Sequence, residues 1–400
     1  MICRSCGSAN LKSVISLGNM PLANGLLKSP DEPEETYPLD LVFCPECSLV
    51  QISESIDPKK IFKDYKYHSS GSQTMLKSSA DLVERTIRER GLSKDSLVVE
   101  IASNDGYLLK NYVKAGITVL GFDPCHEIAE VAISNGIRTV DDYFNGSWGY
   151  TYKHLTNGAD VIHANNVMAH VPDINDFVEG MSILLKPGGV AIIETPYIRD
   201  MIDRCEFDTI YHEHVFYYSI VSLITLFRRH GLHVNHIEHL DIHGGSLRVW
   251  AGKSHTALNE VGRDLLVDEF YTTIHGDYYK DFGKRAENIK HDLTALLRRI
   301  KSQGKNIVGY AASAKGSTLM NYCGIGQYLD YVVDNTPSKQ GLYTPGTHLK
   351  IYPPEKLLED RPDYALLLAW NFADEIMDKE HEYVKRGGKF IIPIPKVRVV

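Results

Sequence analysis

The chain lacks any apolar run near the roughly 20 residues that a bilayer-spanning helix needs. It also lacks a low-complexity tract and an excess of basic residues, with 43 Lys and Arg against 51 Asp and Glu and a formal net charge of -8. The first absence argues against a helical membrane protein, and the third against a nucleic-acid partner. The opening "MICRSCGSANL" has no secretory-leader pattern of basic flank and apolar centre, so the expected location is the cytoplasm. With 43% hydrophobic and 24% charged residues, the composition is that of a soluble globular protein. At 400 residues two or three domains are expected. Cysteine is scarce too, and its seven copies are uneven: Cys3, Cys6, Cys44 and Cys47 form two Cys-x-x-Cys pairs, while Cys125, Cys205 and Cys323 stand alone.

Three regions read differently. Residues 1–75 hold both cysteine pairs, many turn residues and little helical periodicity. Residues 76–245 alternate short apolar runs ("LVVEIAS", "VLGFD", "ADVIHANNV", "GGVAIIETP") with helical patterns. Such runs, apolar on both faces, predict a parallel sheet covered by helices on each side. Residues 246–400 carry a long charged helical stretch and a second alternating unit ("NIVGYAA", "YLDYVVDN", "YALLLAW", "KFIIPIP"). The expected fold class is therefore α/β: a small zinc-binding amino-terminal domain, a central Rossmann-like domain and a second Rossmann-like domain at the carboxyl end.

"CRSC" and "CPEC" are separated by 37 residues. Each offers two thiolates from one tight turn, and two turns complete the tetrahedral four-sulfur shell that zinc prefers. A closed shell leaves no place for water, so Cys3, Cys6, Cys44 and Cys47 are expected to hold a structural ion that staples a segment too short to build its own core.

In the middle region, "VVEIASNDGYLLKNYVKAG" followed by "VLGFDP" places an acid at one strand end, a small-residue turn and helix, then an acid at the next strand end. That layout fits S-adenosylmethionine, with Asp123 accepting from the ribose hydroxyls and Glu100 orienting the turn. The expected cofactor set is Glu100, Ala102, Asn104, Gly106, Asp123, Pro124, Phe144 and Asn165. The G-x-G-x-x-G places of a dinucleotide site read Ala102, Asn104 and Tyr107, so a nicotinamide cofactor is disfavoured. "LLKPGG" ahead of the fifth strand completes the pattern of a methyltransferase domain.

In the last region, "VGYAASAKGSTLMNYCGIG" sets small residues, Lys315, Ser313, Ser317 and Thr318 between a strand and a helix. It looks like an anion cradle without Walker spacing. Lys339 in "DNTPSKQGLY", and His243, Gly245 and Arg248 in "HGGSLRVW", are further candidate contacts for a diphosphate-bearing substrate.

These long ordered motifs, with "YKYHSSGSQTM", "NNVMAHVPDINDF" and "FDTIYHEHVFYYS", make the whole chain resemble the nucleotide-sugar 3-C-methyltransferases of branched deoxysugar biosynthesis. The resemblance implies zinc in the first region and S-adenosylmethionine in the second. It implies a nucleoside-diphosphate 4-keto-6-deoxysugar, dTDP- or GDP-linked, held between the first and last regions. It also implies that Tyr211, Glu213 and His214 form a catalytic cassette joined by Tyr67 and His170. The residues themselves support His214 as the base that deprotonates a carbon beside a ketone. Glu213 is expected to orient the imidazole, and tyrosine hydroxyls with His170 to donate to the developing enolate oxygen. His212 and the aromatic residues Phe216 to Tyr218 are expected to be structural. The sequence leaves monomer against homo-oligomer undetermined. Oxygen or nitrogen methylation of a nucleotide sugar, and nicotinamide-dependent reduction or epimerisation, are the rival activities.

Overall fold

The computed structural model describes residues 1–61, 73–241 and 244–400. Tyr67 and His243 lie outside the described residues. Seventeen strands, β1 to β17, form three sheets among the described residues.

The amino-terminal sheet has the order β1-β2-β3-β9, from β1 (Lys12–Pro21), β2 (Thr36–Phe43), β3 (Val50–Ile52) and β9 (Phe216–Tyr217). All its pairings are antiparallel. One face buries Ile15, Leu17, Leu41 and Phe43, an apolar layer laid down by the two-residue alternation of a strand. The edge strand β9 comes from "HVFYY", far along the chain, and pairs Val50 with Tyr217.

The middle sheet has the order β10-β11-β8-β7-β4-β5-β6. Its parallel core is β4 (Leu97–Ile101), β5 (Thr118–Phe122), β6 (Thr139–Val140), β7 (Ala159–Asn165) and β8 (Leu185–Pro196). Helices connect each to the next, as parallel neighbours require, and β4 is buried along its whole length. The antiparallel hairpin β10 (His233–Leu240) and β11 (Ser246–Gly252) closes the β8 side. This hairpin carries the middle sheet beyond the boundary expected at 245. "SLRVW", read from sequence as a phosphate-binding loop, is an interior strand whose Arg248 is neutralised by Glu194 on the neighbouring strand.

The carboxyl-terminal sheet is β14-β13-β12-β15-β16-β17, with β12 (Ile307–Tyr310), β13 (Val332–Val333), β14 (Ile351–Tyr352), β15 (Tyr364–Leu367), β16 (Lys389–Ile392) and β17 (Arg398–Val399). Only β17 runs antiparallel. The charged stretch is helix Phe282–Ser302, whose stripe Phe282, Ala286, Ile289, Leu293, Leu297 and Ile300 is buried while its charges face outward.

The three units are stitched together. Asn175 Nδ2 donates to the carbonyls of Arg4 (2.8 Å) and Ser5 (3.2 Å) in the first cysteine turn. Leu27 bridges Tyr343, and Glu34 accepts the Gly346 N–H at 2.8 Å. Among the described residues no helix is long and apolar enough to cross a membrane.

Candidate active site

The four cysteine sulfurs lie within 4.8 Å of one another, with Cys3 to Cys47 at 3.6 Å and Cys6 to Cys44 at 3.5 Å. None is in a disulfide. A tetrahedral shell with zinc–sulfur bonds of about 2.3 Å has sulfur–sulfur edges of about 3.8 Å. The cage already has the size of a zinc site and the donor set that zinc takes.

The turn after β4 is built from backbone strain. Ala102, Asn104 and Gly106 have φ of 57°, 49° and 78°, a region that costs an L side chain energy. Gly106 is required twice over, because a Cβ there would lie 2.8 Å from Ile137 Cγ1. Asp123, at the end of β5, holds the turn: its Oδ2 accepts the Asn104 N–H at 2.8 Å and its Oδ1 the Cys125 N–H at 3.0 Å. Glu100 is fully buried, and desolvation followed by the charges of Asp123 and Asp105 raises its pKa well above the usual carboxylate range. Burial raises the pKa of Asp123 as well, against the hydrogen bonds from Cys125 and Asn104. Glu100 Oε2, Ser103 Oγ and Asn165 Oδ1 are buried and have no hydrogen-bond partner among the described residues. Buried polar atoms of this kind are the places a ligand satisfies, and their spread around the turn suits the polar ends of S-adenosylmethionine. Phe144 packs edge-on against Phe122 at 5.1 Å, and Pro124 follows Asp123 directly. Asp123→Ala removes a carboxyl acceptor, and about a 10- to 100-fold loss of cofactor affinity is expected by titration calorimetry.

"IYHEHVFYYS" threads through the junction of all three units. The single-turn helix Phe207–Thr209 precedes it and β9 ends it. The His214 ring meets the Thr209 carbonyl through Nδ1 at 3.1 Å and the Tyr211 hydroxyl through Nε2 at 2.9 Å. A carbonyl only accepts, so Nδ1 carries a proton; in the neutral ring Nε2 then holds the lone pair and the hydroxyl of Tyr211 donates to it. The His170 ring packs edge-on to His214 with centroids 4.9 Å apart. Burial lowers the pKa of His170 to about 4, with a hydrogen bond to the Glu213 backbone opposing the shift. His170 is thus neutral near neutral pH.

Glu213 does not orient the imidazole as expected. Its carboxyl turns to the zinc unit, where Asn24 Nδ2 donates to it at 2.7 Å, and burial pushes its pKa up to about 7. The group that fixes His214 is the Thr209 carbonyl, a backbone atom with no side-chain signature in sequence. His212 is buried, with Nε2 at 3.2 Å from the Pro38 carbonyl, as befits a structural histidine. Phe216, Tyr217 and Tyr218 are buried as well.

In the expected anion cradle of the last unit the hydroxyls of Ser313 and Thr318 have protein partners, while Lys315 Nζ has no hydrogen-bond partner among the described residues. Ser313 Oγ caps its helix by accepting the Gly316 N–H at 3.0 Å and donates to the Leu368 carbonyl at 3.2 Å. Thr318 donates to the Ile210 carbonyl at 3.2 Å, and Ser317 is buried. The ammonium of Lys315 is buried too, 3.6 Å from Glu206 and 5.1 Å above the Trp370 ring. Lys339 donates to the Ala312 carbonyl at 2.8 Å. Asp334 repeats the bonding of Asp123, accepting the N–H groups of Ala312 and Thr336, both at 2.8 Å. Arg248 donates to Glu194 through Nε (3.1 Å) and Nη2 (2.8 Å), so its guanidinium is a sheet contact. Gly245, at φ 112°, lies where a Cβ would come within 2.1 Å of the Asp200 carboxylate.

Glu206, beside Lys315, has its pKa raised to about 7 by burial, which outweighs the opposing charge of Lys315. A folded value above the unfolded one gives stability that is full below about pH 4.5 and declines as the pH rises through about 7. The change amounts to about 3 kcal/mol at most. Glu206→Gln is therefore expected to shrink the drop in melting temperature between pH 5 and pH 8, followed by calorimetry.

Three family models cover the chain: "Putative zinc binding domain" at residues 3–62, "Methyltransferase domain" at 74–237 and "C-methyltransferase C-terminal domain" at 241–395. A relative from Streptomyces niveus, C-methyltransferase NovU, is 37% identical over 404 residues, spanning 100% of this chain and 96% of its own. Among solved structures, magnesium protoporphyrin IX methyltransferase from Synechocystis with bound S-adenosylmethionine is 13% identical, with a TM-score of 0.36, covering 49% of this chain and 89% of its own. An S-adenosylmethionine-dependent methyltransferase from Clostridium acetobutylicum is 14% identical, with a TM-score of 0.37, covering 49% and 96%. With the four-cysteine cage, the strained turn at Asp123 and a full-length relative in agreement, the chain belongs to the zinc-containing, S-adenosylmethionine-dependent C-methyltransferase family.

Proposed function

We propose that the protein methylates carbon 3 of a nucleoside-diphosphate 4-keto-6-deoxyhexose, dTDP- or GDP-linked, by way of an enolate, in branched deoxysugar biosynthesis. The observation that carries this reading is the setting of His214: Nδ1 faces the Thr209 carbonyl and Nε2 faces the Tyr211 hydroxyl, so the neutral ring would present at Nε2 the lone pair a general base needs. The name of the Streptomyces relative supports carbon as the acceptor.

His214 Nε2 takes the proton from carbon 3, and the electron pair left behind spreads onto the ketone oxygen. The Tyr211 hydroxyl, which rests on Nε2, turns to donate to that oxygen as charge grows there. With S-adenosylmethionine held at the Asp123 turn, its sulfonium would supply the methyl to the carbon 3 pair and leave as the neutral thioether. His170 has one proton when neutral and the Glu213 backbone as a partner, so it acts in this reading as a neutral wall that keeps His214 aimed. Glu213 links the cassette to the zinc unit through Asn24. Arg248 and Lys315, close to the carboxylates of Glu194 and Glu206, shape the scaffold in this reading.

The test is turnover with a panel of dTDP-, GDP- and CDP-linked 4-keto-6-deoxysugars and their 4-hydroxy counterparts, read by mass spectrometry. One methyl gained by a keto sugar alone is expected. Methylation of the 4-hydroxy sugars would move the acceptor to oxygen or nitrogen and remove the role of His214.

A further inference from the structure

The segment that carries the base is held from the carboxyl-terminal unit. Thr209, whose carbonyl fixes Nδ1 of His214, lies between two residues anchored across the interface. On one side the fully buried Asp208 accepts the Trp370 indole N–H at 2.6 Å. On the other, the carbonyl of Ile210 accepts the Thr318 hydroxyl at 3.2 Å. Lys315 backs this contact, above the Trp370 ring and beside Glu206. The Thr209 carbonyl shares its planar peptide unit with the Ile210 N–H, which donates to the Phe207 carbonyl at 3.1 Å, and the anchors on Asp208 and Ile210 fix where that unit sits against the carboxyl-terminal unit. The same carbonyl also lies 3.3 Å from the Tyr217 hydroxyl.

We infer that Trp370 and Thr318 are positioning residues of the reaction: by holding Asp208 and Ile210 they present the Thr209 carbonyl that sets the tautomer and direction of the His214 ring. The carboxyl-terminal unit thereby completes the catalytic base as well as flanking the substrate. This inference rests on the reading of His214 as the base. Its chemistry favours these groups over a mere interface contact. A buried carboxylate is costly without donors; Asp208 Oδ2 takes the Trp370 donor while Oδ1 has no hydrogen-bond partner among the described residues, and the next residue is the one whose carbonyl meets the imidazole.

The experiment compares Trp370→Phe, which removes the indole donor, with Thr318→Val and Thr318→Ser in the full chain. It measures kcat, the sugar KM, the affinity for S-adenosylmethionine, and hydrogen exchange at carbon 3 of a keto sugar in deuterated water with S-adenosylhomocysteine bound. Trp370→Phe and Thr318→Val are each expected to slow kcat and exchange by about 10- to 100-fold, as misaligned reacting groups do. Sugar KM and cofactor affinity should stay at wild-type values, and Thr318→Ser, which keeps the hydroxyl, should restore the rates. Should Trp370→Phe fail to fold, the near-isosteric Thr318 pair decides alone. Wild-type exchange in both variants, or a defect confined to sugar KM, would overturn the inference. His214→Gln is run alongside: wild-type exchange there would remove the base assignment itself, a different failure from an inert Trp370 or Thr318.

Discussion

Replacing His214 by glutamine is expected to lower turnover by about 10²- to 10⁴-fold, the range that general-base catalysis contributes, with cofactor affinity kept at the wild-type value. Glutamine keeps an amide able to donate toward the Thr209 carbonyl, so the loop retains a partner for the contact that Nδ1 makes at 3.1 Å. It has no lone pair basic enough to take a carbon-bound proton. The cofactor turn is held by Asp123 through its own backbone contacts, and His214 has no part in them. Kinetics with the keto sugar identified by the panel, with parallel calorimetric titration of S-adenosylmethionine, checks both halves. Undiminished turnover would exclude His214 as the base.

Removal of zinc is expected to abolish turnover and to lower the melting temperature in one step. A structural four-cysteine site contributes on the order of 10 kcal/mol to the folding of its segment, more than a core of this size supplies alone. Here the segment does more than fold itself. Asn24 holds Glu213, the Pro38 carbonyl meets His212, and β3 pairs with β9 at the end of the catalytic loop. Loss of the cage releases the cassette from one of its three supports. Cys47→Ser, or chelation under mild denaturation, gives a metal-free protein by elemental analysis. That protein should still bind S-adenosylmethionine, because the Asp123 turn belongs to a separate sheet. A metal-free protein with full turnover would contradict the account.

Much of this was legible in the sequence because local chemistry dictates it. Two Cys-x-x-Cys turns have few uses other than a four-sulfur cage. Parallel strands buried on both faces, such as β4 and β15, read as short apolar runs. The acid at the end of β5 was visible because the strand, turn and helix around it leave a fixed pattern. The hairpin of β10 and β11 was hidden by its histidines, asparagine and Arg248, whose polarity is resolved only by a partner on another strand, Glu194. The contacts of the last unit are hidden for a related reason. Ser313, Lys315 and Thr318 form the same local pattern whether a phosphate or the protein itself answers them. Here Leu368 and Ile210 answer the hydroxyls from outside the motif, and Glu206 lies 3.6 Å from Lys315. Thr209 and Asn24 escaped notice because one acts through a backbone carbonyl and the other from far along the chain.

The central claim is that His214, in the tautomer set by Thr209, removes a proton from carbon 3 before the methyl moves. The most direct measurement is deuterium incorporation into a nucleotide-linked 4-keto-6-deoxysugar in deuterated water, with wild-type protein and S-adenosylhomocysteine filling the cofactor site. Incorporation of one deuteron at carbon 3, at a rate no slower than turnover and lost in His214→Gln, is the expected result. Methyl transfer proceeding on that sugar with no exchange at carbon 3, or exchange that persists in His214→Gln, would contradict it.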